Sequence, residues 1–141
     1  MCLNYPTFRG AVQPRCATIA CMEPSPAFWS ALDALAASSP LVVDRPHGTA
    51  HPRYPELIYP HDYGYLADIP AADGGGLDVW LGSLPGRQIT GILCTVDSVK
   101  RDVEIKLLLG CTPAEMEEIR QFQTSGSMAA ILVVRPPEGA A

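Results

Sequence analysis

Two pairs of acidic side chains in this sequence have the type and spacing of metal ligands. Asp73 and Asp78 lie five residues apart across a run of glycines, and Asp97 and Asp102 repeat that spacing. Carboxylate oxygens suit Mg²⁺ and, as a second choice, Mn²⁺, and carboxylates separated by a turn can converge on one ion. The pattern therefore predicts a divalent-cation site, whereas each aspartate taken alone is compatible with an ordinary solvated turn.

A second set of side chains has the chemistry of phosphate recognition. Arg45 follows a short apolar run, and Tyr59 and Tyr63 belong to the segment Tyr-Pro-His-Asp-Tyr-Gly-Tyr. Arginine makes bidentate contacts with phosphate oxygens. The alternatives are a surface ion pair of Arg45 with Asp44 or Glu56 and a core position for Tyr63 whose hydroxyl finds a protein partner.

Lys106 and Glu104 join the candidate site through strand periodicity. Apolar and polar residues alternate over 102–107, which puts Asp102, Glu104 and Lys106 on one face of a strand. Lys106 could reach a phosphate from that face, and Glu104 is a candidate catalytic base.

All three histidines fall in the proline-rich segment 46–62. Such a group could bind a transition metal or shuttle protons. Solvated or turn-stabilising positions are favoured for His47 and His61. For His51 a functional role and a solvated or turn-stabilising position are equally favoured, and we include it among the candidate substrate-binding residues.

Helix and strand signals predict the elements that must position these residues. Ser25 followed by Pro26 begins a helix that ends at Ser38-Ser39-Pro40, and Thr112-Pro-Ala-Glu115 is a capping box that begins a second. Segment 46–62 is predicted to be a long ordered loop. Five strand-like runs are expected, at 41–43, 77–82, 89–96, 102–107 and 128–134. Short strands with one helix before the last strand favour a mainly β fold with flanking helices, a small OB-like five-stranded barrel.

Composition limits the classes of function. The chain has 141 residues, 48% of them hydrophobic, and a formal charge of -5 with only Lys100 and Lys106 as lysines. Nucleic-acid binding is disfavoured because no basic stripe is present. No apolar run is long enough to cross a membrane. Five cysteines without a C-x-x-C pair favour reduced thiols in a cytoplasm. Residues 1–22 are predicted to be a disordered extension and 23–141 a single domain.

The residue order resembles that of the soluble, Mg²⁺-dependent inorganic pyrophosphatases of family I. That family has Tyr-Pro-x-x-Tyr-Gly-Tyr followed by Asp-x-Asp-Pro-x-Asp, and it has an OB-like barrel. The resemblance covers roughly residues 41–111. It implies that Asp73, Asp78 and Asp102 bind the tightest metal ion, that Asp97 and Asp102 bind ions arriving with the substrate, and that Arg45 and Tyr63 contact phosphate.

Two positions depart from the family pattern. Gly75 replaces the aspartate thought to help deprotonate the nucleophilic water, and Glu104 stands where the family usually has a lysine. Loss of a general base typically costs 10²–10⁴-fold in rate. Efficient pyrophosphate turnover therefore does not follow from the resemblance.

The sequence thus predicts a cytoplasmic, Mg²⁺-dependent hydrolase of pyrophosphate, in which metal-bound water attacks one phosphorus. The alternatives are action on another phosphorylated small molecule, or a phosphate-ligand binding module without turnover. A plain OB-like interaction domain is disfavoured because no aromatic stacking platform in a basic groove is visible. A homo-oligomer is left open. The predicted catalytic residues are Asp78, Asp102 and Glu104. The predicted substrate-binding residues are Arg45, His51, Tyr59, Tyr63 and Lys106. The predicted metal ligands are Asp73, Asp78, Asp97 and Asp102.

Overall fold

The computed structural model describes residues 24–139, which form one six-stranded sheet and two helices. In chain order the elements are α1 (Pro26–Ser38), β1 (Leu41–Arg45), β2 (Asp62–Pro70), β3 (Gly76–Leu81), β4 (Ile89–Asp97), β5 (Asp102–Leu109), α2 (Pro113–Phe122) and β6 (Met128–Val134). The predicted mainly β fold with flanking helices is confirmed. The expectation for residues 1–22 lies outside the described residues.

The sheet has the strand order β1-β2-β3-β5-β4-β6. Its β3–β5 pair is parallel and its other four pairs are antiparallel. The strand count differs from the five predicted, because β2 was read as part of a turn-rich segment. Its glycine and terminal proline weaken the strand signal, and pairing on both edges overrides that local preference. The order is linear, with β1 and β6 at its two ends.

Gly64 lies between the two tyrosines of β2, at a position where β1 approaches too closely for a side chain. A Cβ atom at this position would lie 1.9 Å from the Val42 carbonyl oxygen, so any side chain would push β1 and β2 apart. Just beyond this contact, the register shifts between Val43 and Arg45, and Arg45 comes to pair with Tyr63. The close approach and the irregularity together set Arg45 beside β2.

Each helix covers one hydrophobic cluster of the sheet. Trp29 of α1 is 2% exposed and packs on a cluster that includes Leu66, Val79 and Leu107. Ile119 of α2 belongs to a second cluster with Trp80, Leu93 and Leu108. Residues 79–80 and 107–108 alternate between the two clusters because successive side chains of a strand point to opposite faces.

The second helix is fixed by the capping box that the sequence predicted. The Thr112 hydroxyl accepts from the Glu115 backbone N–H, and the Glu115 carboxylate accepts from the Thr112 N–H at 2.8 Å. Glu115 also accepts from the Ser83 N–H at 3.1 Å, which ties the loop after β3 to the helix. None of the helices in 24–139 has the length and apolar character needed to cross a membrane.

Candidate functional site

A cleft of about 670 Å³ opens between the 46–62 loop, β2, β5 and the segment that joins α2 to β6. It brings together all five residues that the sequence predicted as substrate-binding, namely Arg45, His51, Tyr59, Tyr63 and Lys106. Of the predicted metal ligands, Asp97 alone lines it. Asp73, Asp78 and Asp102 do not.

The proline-rich loop is ordered, as the sequence predicted, because it folds back on itself through backbone hydrogen bonds. Ala50 and Ile58 form a β-bridge, and the His51 N–H donates to the Leu57 carbonyl at 2.8 Å. The Tyr59 N–H donates to the Thr49 carbonyl at 2.9 Å. These bonds hold one side of the cleft in place.

Aromatic rings form that side of the cleft. The His51 ring stacks on Tyr59 with centroids 6.0 Å apart, and Tyr59 stacks on Tyr63 at 5.7 Å. Trp80 packs against Tyr63 at 4.7 Å from behind. Burial raises the pKa of the Tyr59 hydroxyl, which Arg45 only partly offsets, so this hydroxyl is protonated and can donate a hydrogen bond.

Cationic side chains outnumber acidic ones among the residues that line the cleft. The cationic lining residues are Arg45, Arg53, Lys100 and Lys106, and the acidic ones are Glu56 and Asp97. Cations thus outnumber acids four to two among these lining side chains, although Lys106 and Arg45 also pair with Asp78, Glu104 and Asp44, which do not line the cleft. Exposed cationic side chains in a concave site attract anions.

Sequence reasoning missed Arg53 and Lys100, which are both exposed at the rim. Arg53 belongs to the same loop as His51, and this proximity was the available signal. Lys100 lies in the turn after Asp97, and nothing in its local sequence indicates that the turn faces the 46–62 loop. The predicted site therefore lacked half of its cations.

Lys106 is the most buried of the cations, with 4% of its surface exposed. Its ammonium donates to Asp78 Oδ2 at 2.5 Å, to Glu104 Oε2 at 2.8 Å and to the Tyr63 hydroxyl at 3.0 Å. An ammonium group has three donors, so these partners satisfy it completely. That Lys106 reaches a phosphate stays a prediction, and in this structure all three of its donors bond to the protein.

The protonation of this cluster follows from its contacts. Burial acts to lower the pKa of Lys106, but the neighbouring Tyr63 and Asp78, together with hydrogen bonds to Asp78 and Glu104, outweigh it and the pKa is raised. Burial raises the pKa of the Tyr63 hydroxyl as well. Lys106 is therefore an ammonium and Tyr63 a neutral phenol at neutral pH.

Asp97 holds the turn between β4 and β5. Its Oδ1 accepts from the Val99 N–H at 2.9 Å, the Lys100 N–H at 3.0 Å and the Ser127 hydroxyl at 2.9 Å. The Lys100 backbone donor is the main reason that the pKa of Asp97 is lowered. Asp97 is thus an ionised carboxylate whose side chain stabilises the cleft wall.

The predicted convergence of Asp73, Asp78 and Asp102 on one ion is not found in the structure. Asp78 contacts Lys106, and Asp102 lies four residues from Lys106 along β5, which is about 13 Å at the rise of a strand. Asp73 accepts from the Gly75 N–H at 2.9 Å in the turn before β3. Within residues 24–139 no three His, Cys, Asp or Glu side chains are grouped to hold a metal.

This donor set does not fit a ready-made Mg²⁺ or Mn²⁺ site, because the carboxylates are separated and Asp78 is engaged by an ammonium. The physical reason is the β3–β5 register, in which Val79 pairs with Leu107, and the sequence does not reveal it. Metal binding itself stays a prediction, as do the roles assigned to individual residues.

The histidines fall into two places. His61 Nε2 donates to the Glu118 carboxylate at 2.8 Å, and the His61 ring stacks on His47 with centroids 6.2 Å apart. His51 lines the cleft instead, and burial followed by the Arg45 charge lowers its pKa below 6.5. His51 is therefore the histidine available to a ligand in the cleft.

Comparisons with solved structures identify the fold. The chain is similar to an inorganic pyrophosphatase from Neisseria gonorrhoeae, with 17% identity, a TM-score of 0.52 and coverage of 63% of this chain and 77% of that one. It is also similar to the inorganic pyrophosphatase of Helicobacter pylori, with 12% identity, a TM-score of 0.48 and coverage of 67% and 81%. No protein-family model and no curated protein matches the chain. The likeness to the Neisseria gonorrhoeae protein shows a pyrophosphatase-like fold.

Proposed function

We propose that the protein binds a small phosphorylated ligand in the cleft beside Arg45, with pyrophosphate as the simplest candidate. The observation that carries this proposal is that Arg45, His51 and Tyr59 meet Lys100, from the turn after β4, in one cleft whose lining has more cationic than acidic side chains. Phosphate groups favour such sites because arginine and hydroxyl donors match their oxygens.

Arg45 is the central phosphate ligand of this proposal. Its side chain is 37% exposed, and its ion pair with Asp44 is long, at 3.5 Å, and open to solvent. An exposed pair of this kind contributes little free energy, so a phosphate can displace Asp44 at low cost. Arg53 and Lys100 add charge at the rim, and Tyr59 supplies a neutral hydroxyl donor.

The cleft is larger than pyrophosphate requires and is partly apolar. Its lining includes Leu57, Val99, Phe122 and Met128, and its volume falls in the range of sites for organic ligands. A phosphorylated organic molecule would use both the cations and this apolar part. We therefore extend the ligand class from pyrophosphate to phosphate esters.

Isothermal titration calorimetry in the presence of EDTA tests the binding proposal. Pyrophosphate, phenyl phosphate and inorganic phosphate are titrated into the full chain and into Arg45→Met. Arg87→Met is the matched control, since Arg87 is exposed and does not line the cleft. Binding that Arg45→Met weakens and Arg87→Met leaves unchanged supports the proposal. Equal affinities in all three proteins would overturn it.

Hydrolysis of pyrophosphate with Mg²⁺, or with Mn²⁺ in its place, is the second candidate function. The fold shared with the Neisseria gonorrhoeae pyrophosphatase favours it, and so does the pairing of Asp102 with Asp97, which lines the cleft. Phosphate release is measured with Mg²⁺ and with EDTA. Release that needs Mg²⁺ and falls in Asp102→Asn supports hydrolysis, and release equal to a blank rejects it.

Gly75→Asp sharpens the hydrolysis assay because it restores the family residue. Gly75 is not among the residues with positive φ, and an added Cβ atom would meet only the flexible Asp73 carboxylate, at 3.3 Å from Oδ1. The substitution is therefore compatible with the backbone. If the missing base limits turnover, Gly75→Asp releases phosphate faster than the natural chain, with about 10²-fold as the lower end of such gains.

A further inference from the structure

We propose that the Lys106 ammonium is a built-in cation for Asp78 and Glu104, and that it excludes a divalent metal ion from this carboxylate pair. Asp78, which the sequence predicted to be a Mg²⁺ ligand, binds the Lys106 ammonium instead. This inference rests on the contacts of Lys106 and is independent of what the cleft binds.

The geometry around Lys106 matches what a cation site would offer. Two carboxylates from neighbouring strands and one phenol surround the ammonium, with contacts of 2.5 to 3.0 Å. The parallel register of β3 and β5 brings Asp78 to Lys106, whereas Glu104 lies two residues before Lys106 on the same face of β5. The oxygen atoms are thus arranged about one central charge.

A divalent ion at Asp78 would conflict directly with this arrangement. Mg²⁺ and Mn²⁺ bind carboxylate oxygens at about 2.1 Å, so an ion on Asp78 Oδ2 would lie no more than about 4.6 Å from the ammonium. Two cations at that separation repel each other strongly away from bulk water. The metal could bind only if Lys106, which is 4% exposed, left its three partners.

The surrounding packing makes departure of Lys106 unfavourable. The Tyr63 ring lies 5.4 Å from the ammonium, and Tyr63 is itself packed against Trp80. An ammonium that moved out would leave Asp78 and Glu104 facing each other without a partner. Mutual repulsion of two partly buried carboxylates opposes that outcome. The lysine is therefore a fixed part of the site and not a displaceable neighbour.

Mn²⁺ binding, followed by electron paramagnetic resonance without any phosphate, tests this inference. The proteins are the full chain, Lys106→Met and the charge-matched control Arg87→Met. We expect Lys106→Met to gain one Mn²⁺ site, or to bind Mn²⁺ at least tenfold more tightly, while Arg87→Met behaves as the natural chain does. Equal Mn²⁺ binding by Lys106→Met and the natural chain overturns the inference.

Asp78→Asn keeps the test decisive if Lys106→Met does not fold. In the natural chain Asp78→Asn should leave Mn²⁺ affinity within about twofold, because the ammonium already occupies that carboxylate. A loss of Mn²⁺ binding in Asp78→Asn would overturn the inference, since Asp78 would then be a metal ligand. Because phosphate is absent, failure here leaves the ligand proposal for the cleft unaffected.

Discussion

The cleft has one buried cation, here called the inner cation, and three exposed ones, the outer cations, which differ from it in exposure and in bonding partners. The inner cation is Lys106, which is 4% exposed and bonded to three protein groups. The outer cations are Arg45, Arg53 and Lys100. Arg45 has a single long ion pair at 3.5 Å, and neither Arg53 nor Lys100 forms an ion pair within residues 24–139.

This difference assigns the two groups to different tasks. A buried charge is tolerated only when its partners satisfy it, and removing one partner leaves the others desolvated and uncompensated. An exposed charge keeps its hydration and adds little to stability, but it can exchange water for a ligand. The inner cation should therefore determine stability, and the outer cations should determine affinity.

Lys106→Met should produce the largest loss of unfolding free energy among these variants. A small loss would contradict the distinction between inner and outer cations. Removing the ammonium leaves Asp78 and Glu104 unpaired, which we expect to cost about 3 kcal/mol of unfolding free energy. The value is at the low end for a buried pair because the two carboxylate side chains are 29% and 28% exposed. Urea unfolding measures it, with Arg87→Met expected within about 0.5 kcal/mol of the natural chain. A loss as small as that of the control would place Lys106 with the outer cations.

Arg45→Met should show the opposite balance. We expect the dissociation constant for pyrophosphate to rise about tenfold to a hundredfold, because a charge-assisted hydrogen bond to the ligand is lost. Stability should change by less than about 0.5 kcal/mol, since the pair with Asp44 is exposed. Calorimetry and urea unfolding on the same preparations separate the two quantities. A stability loss without a loss of affinity would contradict the assignment.

Local signals in the sequence were sufficient to predict the helices and some of the residues that line the cleft. Both N-caps, Ser25 and Thr112, are where the sequence places them, because capping depends on a few adjacent residues. Arg45 and Tyr63 were found through residue type and order, and pairing of β1 with β2 brings them together.

Long-range register was beyond local prediction. Strand β2 was missed because its pairing on two edges, and not its own composition, makes it a strand. The contact of Lys106 with Asp78 depends on the parallel pairing of β3 with β5, which joins segments 28 residues apart. A one-residue change of that register would turn Lys106 to the other face. For this reason the sequence predicted that Asp73, Asp78 and Asp102 bind one metal ion, whereas in the structure Asp78 binds the Lys106 ammonium.

His51→Gln tests whether His51, which lines the cleft beside the outer cations, gains a proton when a ligand binds. The pKa of His51 in the free protein lies below 6.5, because burial and then Arg45 disfavour its cation. A bound anion favours the cation and raises that pKa, so binding takes up a proton and affinity should rise as pH falls from about 7 to 5. We expect an added gain of about two- to fivefold in the natural chain, and none in His51→Gln. Both proteins are titrated with the same ligand at each pH, which cancels protonation of the ligand itself. Identical pH profiles would remove His51 from the ligand site.

Lys100→Met should have the smallest effect, and it compares the only two lysines of the chain. Lys100 is exposed, and its backbone N–H, not its ammonium, donates to Asp97 at 3.0 Å, so the turn should persist in the variant. Unfolding free energy should stay within about 0.5 kcal/mol of the natural chain. The dissociation constant for pyrophosphate should rise about two- to threefold at low salt, and this difference should shrink as salt is added, because an exposed point charge acts through a screened field. Lys106→Met has no such salt dependence in its stability loss if its cluster is shielded from solvent. A Lys100→Met variant that is as unstable as Lys106→Met would mean that burial and bonding do not separate the two lysines, and the division into inner and outer cations would have to be given up.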